Sequence, residues 1–193
     1  MDEGYLVRRA GRGTFVRRPR FDRCLGPLLG SLEDMEARGL PATARVLAAG
    51  ECLPELEVAD RLGVREGRPV FRVYRLLSAC DEPVAIEDGY WPVEIGAAFA
   101  GRDLSERLYQ LVEQHLGMQL GEAEATLEAA LATAEQSRLL SIPEGSPVLV
   151  MERTVFAADG RLVDIDRTVY RGDRYRFKTR MVRSPQRRVG LWK

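Results

Sequence analysis

Apolar and polar positions alternate along most of this chain, and only in short stretches does the period lengthen to that of a helix. Over Pro69–Ser78, Val70, Arg72 and Tyr74 alternate with Phe71, Val73 and Arg75, the period of a strand. Cys80–Pro83 reads as a turn, and Val84–Tyr90 returns as a second strand toward Trp91-Pro92. The last third repeats the plan: strand Pro147–Phe156, turn Ala158-Asp159-Gly160, strand Arg161–Tyr170. A further strand is expected over Arg174–Val182, and residues 42–52 are also strand-like. Residues 122–132 are rich in Ala and Glu, yet Ala125, Leu127, Ala129 and Leu131 alternate with their neighbours, so a strand is assigned there too.

Helical spacing appears in four places. Ser31–Asp34 has the S-x-x-[DE] form of an N-terminus, with Ser31 as cap and Gly39 as stop. Pro54 suits a first helical position before Leu56, Ala59 and Leu62, and Gly63 ends that segment. Asp103 caps a helix to His115 whose face is Leu104, Leu108, Leu111, Val112 and Leu116, with Gly117 beyond it. A short helix is expected over Glu135–Leu140, ahead of Pro143-Glu144-Gly145. About six core strands joined by short turns, with four helices, define an α+β domain built on a mainly antiparallel sheet.

The N-terminus differs. Tyr5–Arg9 and Thr14–Arg18 are strand-like runs around a glycine-rich turn, Ala10–Gly13. An isolated hairpin is marginal in water, so this one should belong to something larger. The expected organisation is a hairpin over residues 1–18, a linker over 19–27, a body over 28–183 and a basic tail over 184–193.

Composition narrows the class. The 193 residues are 45% apolar and 30% charged, which is globular rather than disordered, collagenous or membrane-embedded. No apolar run approaches the roughly 20 residues that span a bilayer. Net charge is zero but unevenly spread: residues 1–23 hold seven Arg against three acids, and 161–193 hold eleven Lys or Arg against three acids. The middle is correspondingly acidic, so the body as a whole does not steer nucleic acid. Cys24, Cys52 and Cys80 are too few and too widely spaced for a disulfide framework or a metal site, and are expected as small buried apolar residues in a reducing cytoplasm. The single His115 removes most histidine chemistry, and no cofactor is expected.

Arg75 falls on the same alternating face as Phe71 and Val73, so it is expected to face the core and to be paired. Glu87 on the return strand is its natural partner. A turn centred on Asp81-Glu82 places Arg75 opposite residue 88 and diagonal to Glu87. Such a pair can clamp a phosphate or carboxylate through Arg75, with Glu87 accepting from a hydroxyl or amine; it can equally be a structural ion pair. The helix start at Gly30-Ser31 would offer backbone N–H groups to an anion, or be a plain cap.

An ordered set of motifs resembles one family. Gly11–Val16 resembles the wing tip and second wing strand of a GntR-type winged helix-turn-helix. The body resembles the UTRA ligand-sensing domain of the HutC subfamily of bacterial transcriptional regulators. The matching stretches are Glu33–Met35 with Gly39 and Pro41, Gly67–Arg72, Pro83–Glu87 with Tyr90–Pro92, Leu108-Tyr109, Ala132-Thr133 with Glu135, Ile142–Leu149, Glu152-Arg153, Asp159-Gly160 and Tyr170–Phe177. The resemblance implies the chorismate-lyase-like fold, a six-stranded antiparallel sheet flanked by helices. It also implies a homodimer and a small anionic effector, such as a sugar phosphate, urocanate or another carboxylate.

The sugar-phosphate-binding members point to Arg75 and Glu87 again, and to Asp164 and Tyr170, which lie six apart on one strand face. Arg107 stands where those members often carry a phosphate-contacting Ser, and Leu77 where they often carry a second Arg. Tyr170 has a plainer reading as core, and Arg107 as a solvated helix charge. The family's recognition helix precedes the wing, and Met1 stands only ten residues before Gly11, so DNA binding is expected only through a complete winged helix-turn-helix that is absent here. The wing arginines Arg8, Arg9, Arg12 and Arg17 are expected to touch phosphate weakly. Three functions stay in view: an effector sensor, a chorismate-lyase-like enzyme using Arg75 and Glu87, and a dimerisation module with a dead pocket.

Overall fold

The computed structural model describes the backbone of residues 6–9 and 13–16, and residues 20–181 in full. The strands are β1 (Leu6–Arg9), β2 (Gly13–Val16), β3 (Phe21–Cys24), β4 (Ala42–Cys52), β5 (Val70–Ala79), β6 (Glu82–Trp91), β7 (Leu120–Leu131), β8 (Pro147–Ala157), β9 (Leu162–Arg171) and β10 (Tyr175–Lys178). The helices are α1 (Ser31–Glu36), α2 (Leu56–Leu62), α3 (Val93–Gly96, continued by a short 3-10 turn), α4 (Leu108–Leu116) and α5 (Ala134–Leu140).

Six strands form one sheet in the order β4-β5-β6-β9-β8-β7, every neighbouring pair antiparallel. β9 is central and nearly all its residues are buried, as a strand covered on both faces requires. On one face, Leu76, Ile86, Val148, Val150 and Val169 pack under Leu140 of α5, while Val70 and Ile165 pack under Leu62 of α2. The other face carries two separate apolar clusters. Val73, Trp91 and Val155 pack with Phe99, Leu108, Tyr109 and Val112 from the α3–α4 region. Leu77, Ala85, Met151 and Tyr170 pack with Leu32 and Met35 of α1 and with Phe21 and Tyr175.

β1 and β2 pair as an antiparallel hairpin, Leu6 opposite Val16 and Arg9 opposite Gly13. Arg12, Arg17 and the tail 184–193 lie outside the described residues. The stretch read as a linker contains β3, which runs parallel to β10 with Phe21 opposite Tyr175. Only four residues long, β3 carries no usable period; its partner is the far end of the chain.

Local details depart from the sequence expectations. Gly30, not Ser31, is the N-cap of α1, and its N–H donates to Glu33 Oε2 at 2.9 Å. Helix α4 begins at Leu108 rather than Asp103, and Glu55, not Pro54, borders α2. The final strand stops at Lys178. Cys24 and Cys80 are exposed and Cys52 is half-buried, so none is the buried apolar residue expected.

Candidate functional site

Arg75 and Glu87 face one another directly, not diagonally. The hairpin turn is the two-residue type, with Ala79 opposite Glu82 and both Cys80 and Asp81 at positive φ (51° and 62°). A bulge between Leu77 and Ser78 then shifts the register by one. Together the two features bring position 87, rather than 88, opposite Arg75.

The pair sits in a polar belt that crosses the sheet between the two apolar clusters. Arg75 Nε donates to Glu87 Oε2 at 2.9 Å, and its Nη2 reaches the same oxygen. Its Nη1 donates to the carbonyls of Leu104 (3.0 Å) and Glu106 (2.8 Å). Ser31 Oγ donates to Glu87 Oε1 at 2.7 Å, so Ser31 serves the belt instead of capping its helix. A second pair lies alongside: Arg153 Nε donates to Asp166 Oδ2 at 2.7 Å, and Arg153 Nη1 to the Leu29 carbonyl at 3.0 Å. Thr168 Oγ1 donates to Asp166 Oδ1 at 3.0 Å. Asp164, one alternation further along β9, accepts from the Tyr109 hydroxyl at 3.3 Å.

These side chains wall one cavity. Its floor is Arg75 (β5), Glu87, Gly89 and Trp91 (β6), Arg153 (β8), and Asp164 and Asp166 (β9). Its roof is Gly30–Glu33 at the start of α1 and Arg107–Tyr109 at the start of α4. The volume is about 20 Å³, room for one water-sized group. Gly89 keeps the floor low, since a Cβ there would lie 3.1 Å from Trp91 Nε1. That indole nitrogen is buried without a hydrogen-bond partner among the described residues.

The two buried arginines set the electrostatics. Burial pushes the Glu87 carboxyl up, but the Arg75 guanidinium and the Ser31 hydroxyl outweigh it and hold Glu87 below the usual carboxylate range. Asp164 goes the other way: burial first, and the neighbouring Asp166 second, raise it well above the ordinary aspartate value. Asp166 is raised too, by burial, but Arg153 is bound to it and not to Asp164, so the elevation is the larger at Asp164.

Of the six residues singled out from the sequence as effector contacts, Arg75, Glu87, Asp164, Ser31 and Arg107 line this cavity. Arg107 stands at the rim, partly exposed, and its Nε donates to Glu36 Oε2 at 2.7 Å, tying α4 to α1. Tyr170 does not line it. It shares a strand face with Asp164, but six residues of strand separate them by about 20 Å. Its hydroxyl instead accepts from Arg23 of β3, and its ring packs on Tyr175 and Phe177. Arg153, Asp166, Tyr109 and Trp91 were not singled out. The signal for Asp166 is in the sequence: Asp164, Asp166 and Thr168 recur at period two on one face of β9, between Leu162 and Tyr170, and two carboxylates on a buried face need a cation.

The six-stranded antiparallel sheet with its helices is shared with solved effector domains of transcriptional regulators. The chain aligns with the crystal structure of PhnF from Mycobacterium smegmatis at a TM-score of 0.81 and 27% identity, covering 94% of this chain and 80% of that one. The effector domain of that protein alone aligns at 0.78 and 25%, covering 84% of this chain and all of that one. Residues 37–176 match the UTRA domain. The chain is 32% identical to the transcriptional repressor NagR of Bacillus subtilis, over 92% of this chain and 73% of that protein. Identity is also 32% to the histidine utilization repressor of Pseudomonas aeruginosa, over 92% and 70%. The chain belongs to the UTRA-domain family of GntR/HutC-type transcriptional regulators. These relatives are transcriptional regulators, and the chain's role is regulatory rather than enzymatic.

Proposed function

We propose that this chain is the cytoplasmic, homodimeric sensing part of a transcriptional regulator, and that the cavity between the sheet and α1 takes a small oxygen-rich anion, such as a sugar phosphate or a carboxylate. The observation that carries this reading is the balance of donors over acceptors. Two guanidiniums and the orphan indole N–H of Trp91 converge on one small volume. The acceptors there, Glu87 and Asp166, are already engaged by Arg75 and Arg153. A ligand bringing acceptor oxygens satisfies the surplus.

The space of about 20 Å³ is too small for such a ligand, so its binding must lift the roof. The contacts that yield are the Ser31–Glu87 hydrogen bond and the Arg107–Glu36 pair at the rim. Lifting α1 also pulls on Asp34, which is buried on the same helix and bridges Arg23 of β3 at 3.7 Å. β3 follows the hairpin β1–β2, which this reading takes as the wing of a winged helix-turn-helix. Effector occupancy is thereby coupled to DNA affinity, with a coupling of about 1–3 kcal/mol as is usual between such sites.

Thermal melting of the full chain against sugar phosphates, urocanate, small carboxylates, phosphonates and fatty acids tests the reading. Ligand at 100 times its dissociation constant adds about 2.7 kcal/mol, a rise of several degrees. Trp91 in the cavity floor supplies a second readout through its fluorescence. The response should vanish in Arg75→Ala and survive in Tyr170→Phe. A flat screen on a well-folded chain, or a response untouched by Arg75→Ala, overturns it.

A further inference from the structure

The polar belt across the cavity floor is nearly self-contained. Each of the three guanidinium nitrogens of Arg75 already donates to a protein acceptor, Nε and Nη2 to Glu87 and Nη1 to the Leu104 and Glu106 carbonyls. Glu87 accepts at both oxygens, from Ser31 and Arg75, and Asp166 accepts at both, from Thr168 and Arg153. Two donors stand outside this arrangement. Arg153 uses Nε on Asp166 and Nη1 on the Leu29 carbonyl, and its Nη2 has no partner among the described residues. Trp91 Nε1, which is buried, has none there either. Both side chains line the same small cavity. Neither can turn away to find a partner. The Trp91 ring, 2% exposed, is held edge-on by Phe99 (centroids 5.0 Å apart) and by Tyr109 (5.8 Å). The Arg153 guanidinium lies 5.8 Å over the Tyr109 ring and is anchored through two of its nitrogens. Gly89 leaves the approach to the indole open, since a Cβ there would stand 3.1 Å from Nε1. An indole N–H can donate but not accept, and a buried N–H without a partner costs stability. A rigid, unpaired donor at the floor of a cavity is completed by an acceptor that a ligand brings.

We propose that Trp91 and Arg153 determine the specificity of the cavity, and that together they take a carboxylate, one oxygen on Trp91 Nε1 and the other on Arg153 Nη2. This rests on the reading of the cavity as an anion sensor and deepens it by narrowing the ligand class. A carboxylate has two oxygens and one charge, and the floor has two free donors. A phosphate brings a third oxygen and, near neutral pH, a second charge. Both floor guanidiniums are already neutralised, Arg75 by Glu87 and Arg153 by Asp166, so that second charge would be buried beside carboxylates with no cation of its own. An amide brings a single oxygen, and its N–H groups would face one of the two donors. Arg75 is then a positioning residue. It holds Glu87 and, through the Leu104 and Glu106 carbonyls, the segment that leads into α4.

Isothermal titration of the full chain at constant ionic strength is the test, with acetate, benzoate and urocanate as carboxylates, and acetamide, inorganic phosphate and glucose 6-phosphate as the contrasting probes. At least one carboxylate should bind, and the contrasting probes should bind at least about tenfold more weakly. Trp91→Phe keeps an aromatic ring in the packing and removes the N–H. It should weaken the carboxylate by about tenfold, the worth of one hydrogen bond to a charged group, and leave circular dichroism unchanged. Gly89→Ala, which sets a methyl against Nε1, should weaken it in the same way. Arg153→Lys keeps a cation for Asp166 and removes the fork, and should weaken it too; if that variant fails to fold, Trp91→Phe and Gly89→Ala decide. A merely structural tryptophan would lose stability in Trp91→Phe without any change in the preference for carboxylate over phosphate. Carboxylate binding that Trp91→Phe leaves unchanged overturns the inference, the two donors then being served by water. A glucose 6-phosphate response that exceeds the carboxylates' and survives Trp91→Phe overturns the inference and keeps the anion sensor. Silence toward every one of these anions, in titration and in melting, overturns both.

Discussion

Asp164 is the residue whose chemistry departs most from its ordinary behaviour. Buried beside Asp166 and lacking an arginine of its own, it holds its proton well above the usual aspartate range. The folded chain therefore binds a proton that the unfolded chain releases. Stability from this group is complete below the unfolded value of about 4 and falls as pH rises toward the elevated folded value. Glu87 has the opposite sign: held low, it contributes above its unfolded value and is lost in acid. We expect wild-type melting temperature to decline from mildly acidic to alkaline pH. Asp164→Asn, which keeps a neutral side chain of the same shape, should flatten that decline and leave the acid limb unchanged. Thermal melts at a series of pH values check this; an identical pH slope in the variant would show that the proton sits elsewhere. A different cost attends Arg153→Met. It strands Asp166 as a buried, unpaired carboxylate, and should destabilise the fold by about 3–5 kcal/mol in denaturant titration.

At the scale of elements, the β5–β6 hairpin decides where the chemistry stands. Its alternation is plain in the sequence, but the pairing of Arg75 with Glu87 depends on a two-residue turn and a bulge that alternation does not encode. Cys80 and Asp81 both sit in the left-handed region, which costs an L-residue about 1–2 kcal/mol unless it is Asn, Asp or Gly. Replacing them by Asn-Gly, the sequence this turn favours, should raise stability by about 1 kcal/mol without moving the register. Chemical denaturation measures the gain. Loss of stability instead would mean that the turn is held by a contact of the Cys80 or Asp81 side chain. Helix α1 illustrates the converse. It is too short to be stable alone, and it persists because Leu32 and Met35 pack into the sheet while Ser31 is bonded to Glu87.

For the whole molecule the decisive feature is that α1 touches two things at once. Its first turn roofs the cavity, and Asp34 on its inner side holds Arg23 of β3, whose Nη1 also donates to Tyr170. β3 follows the N-terminal hairpin in the chain and pairs with β10. Amide hydrogen exchange at residues 21–24 should therefore change when the effector found by melting is added. Asp34→Asn should abolish that change while leaving the cavity's affinity for the effector within about threefold. If protection of β3 responds equally in the variant, the signal does not travel through Asp34.

The period of nearly every strand in the sheet, the α+β class, the UTRA resemblance and the prominence of Arg75 and Glu87 were legible along the chain before any fold was known. These are local facts: alternation, turn residues and motif order are written along the chain. Tertiary structure alone decided the rest. The belt of Arg75, Glu87, Asp166 and Arg153 joins residues from four strands, and which of them meet is set by sheet order and by one bulge. Tyr170 and Asp164 share a face, yet one packs beneath β3 and the other lines the cavity, because distance along a strand separates what alternation alone puts together. β3 itself exists only because β10, from the far end of the chain, lies beside it. Periodicity records which way a side chain faces; only the fold determines what it faces.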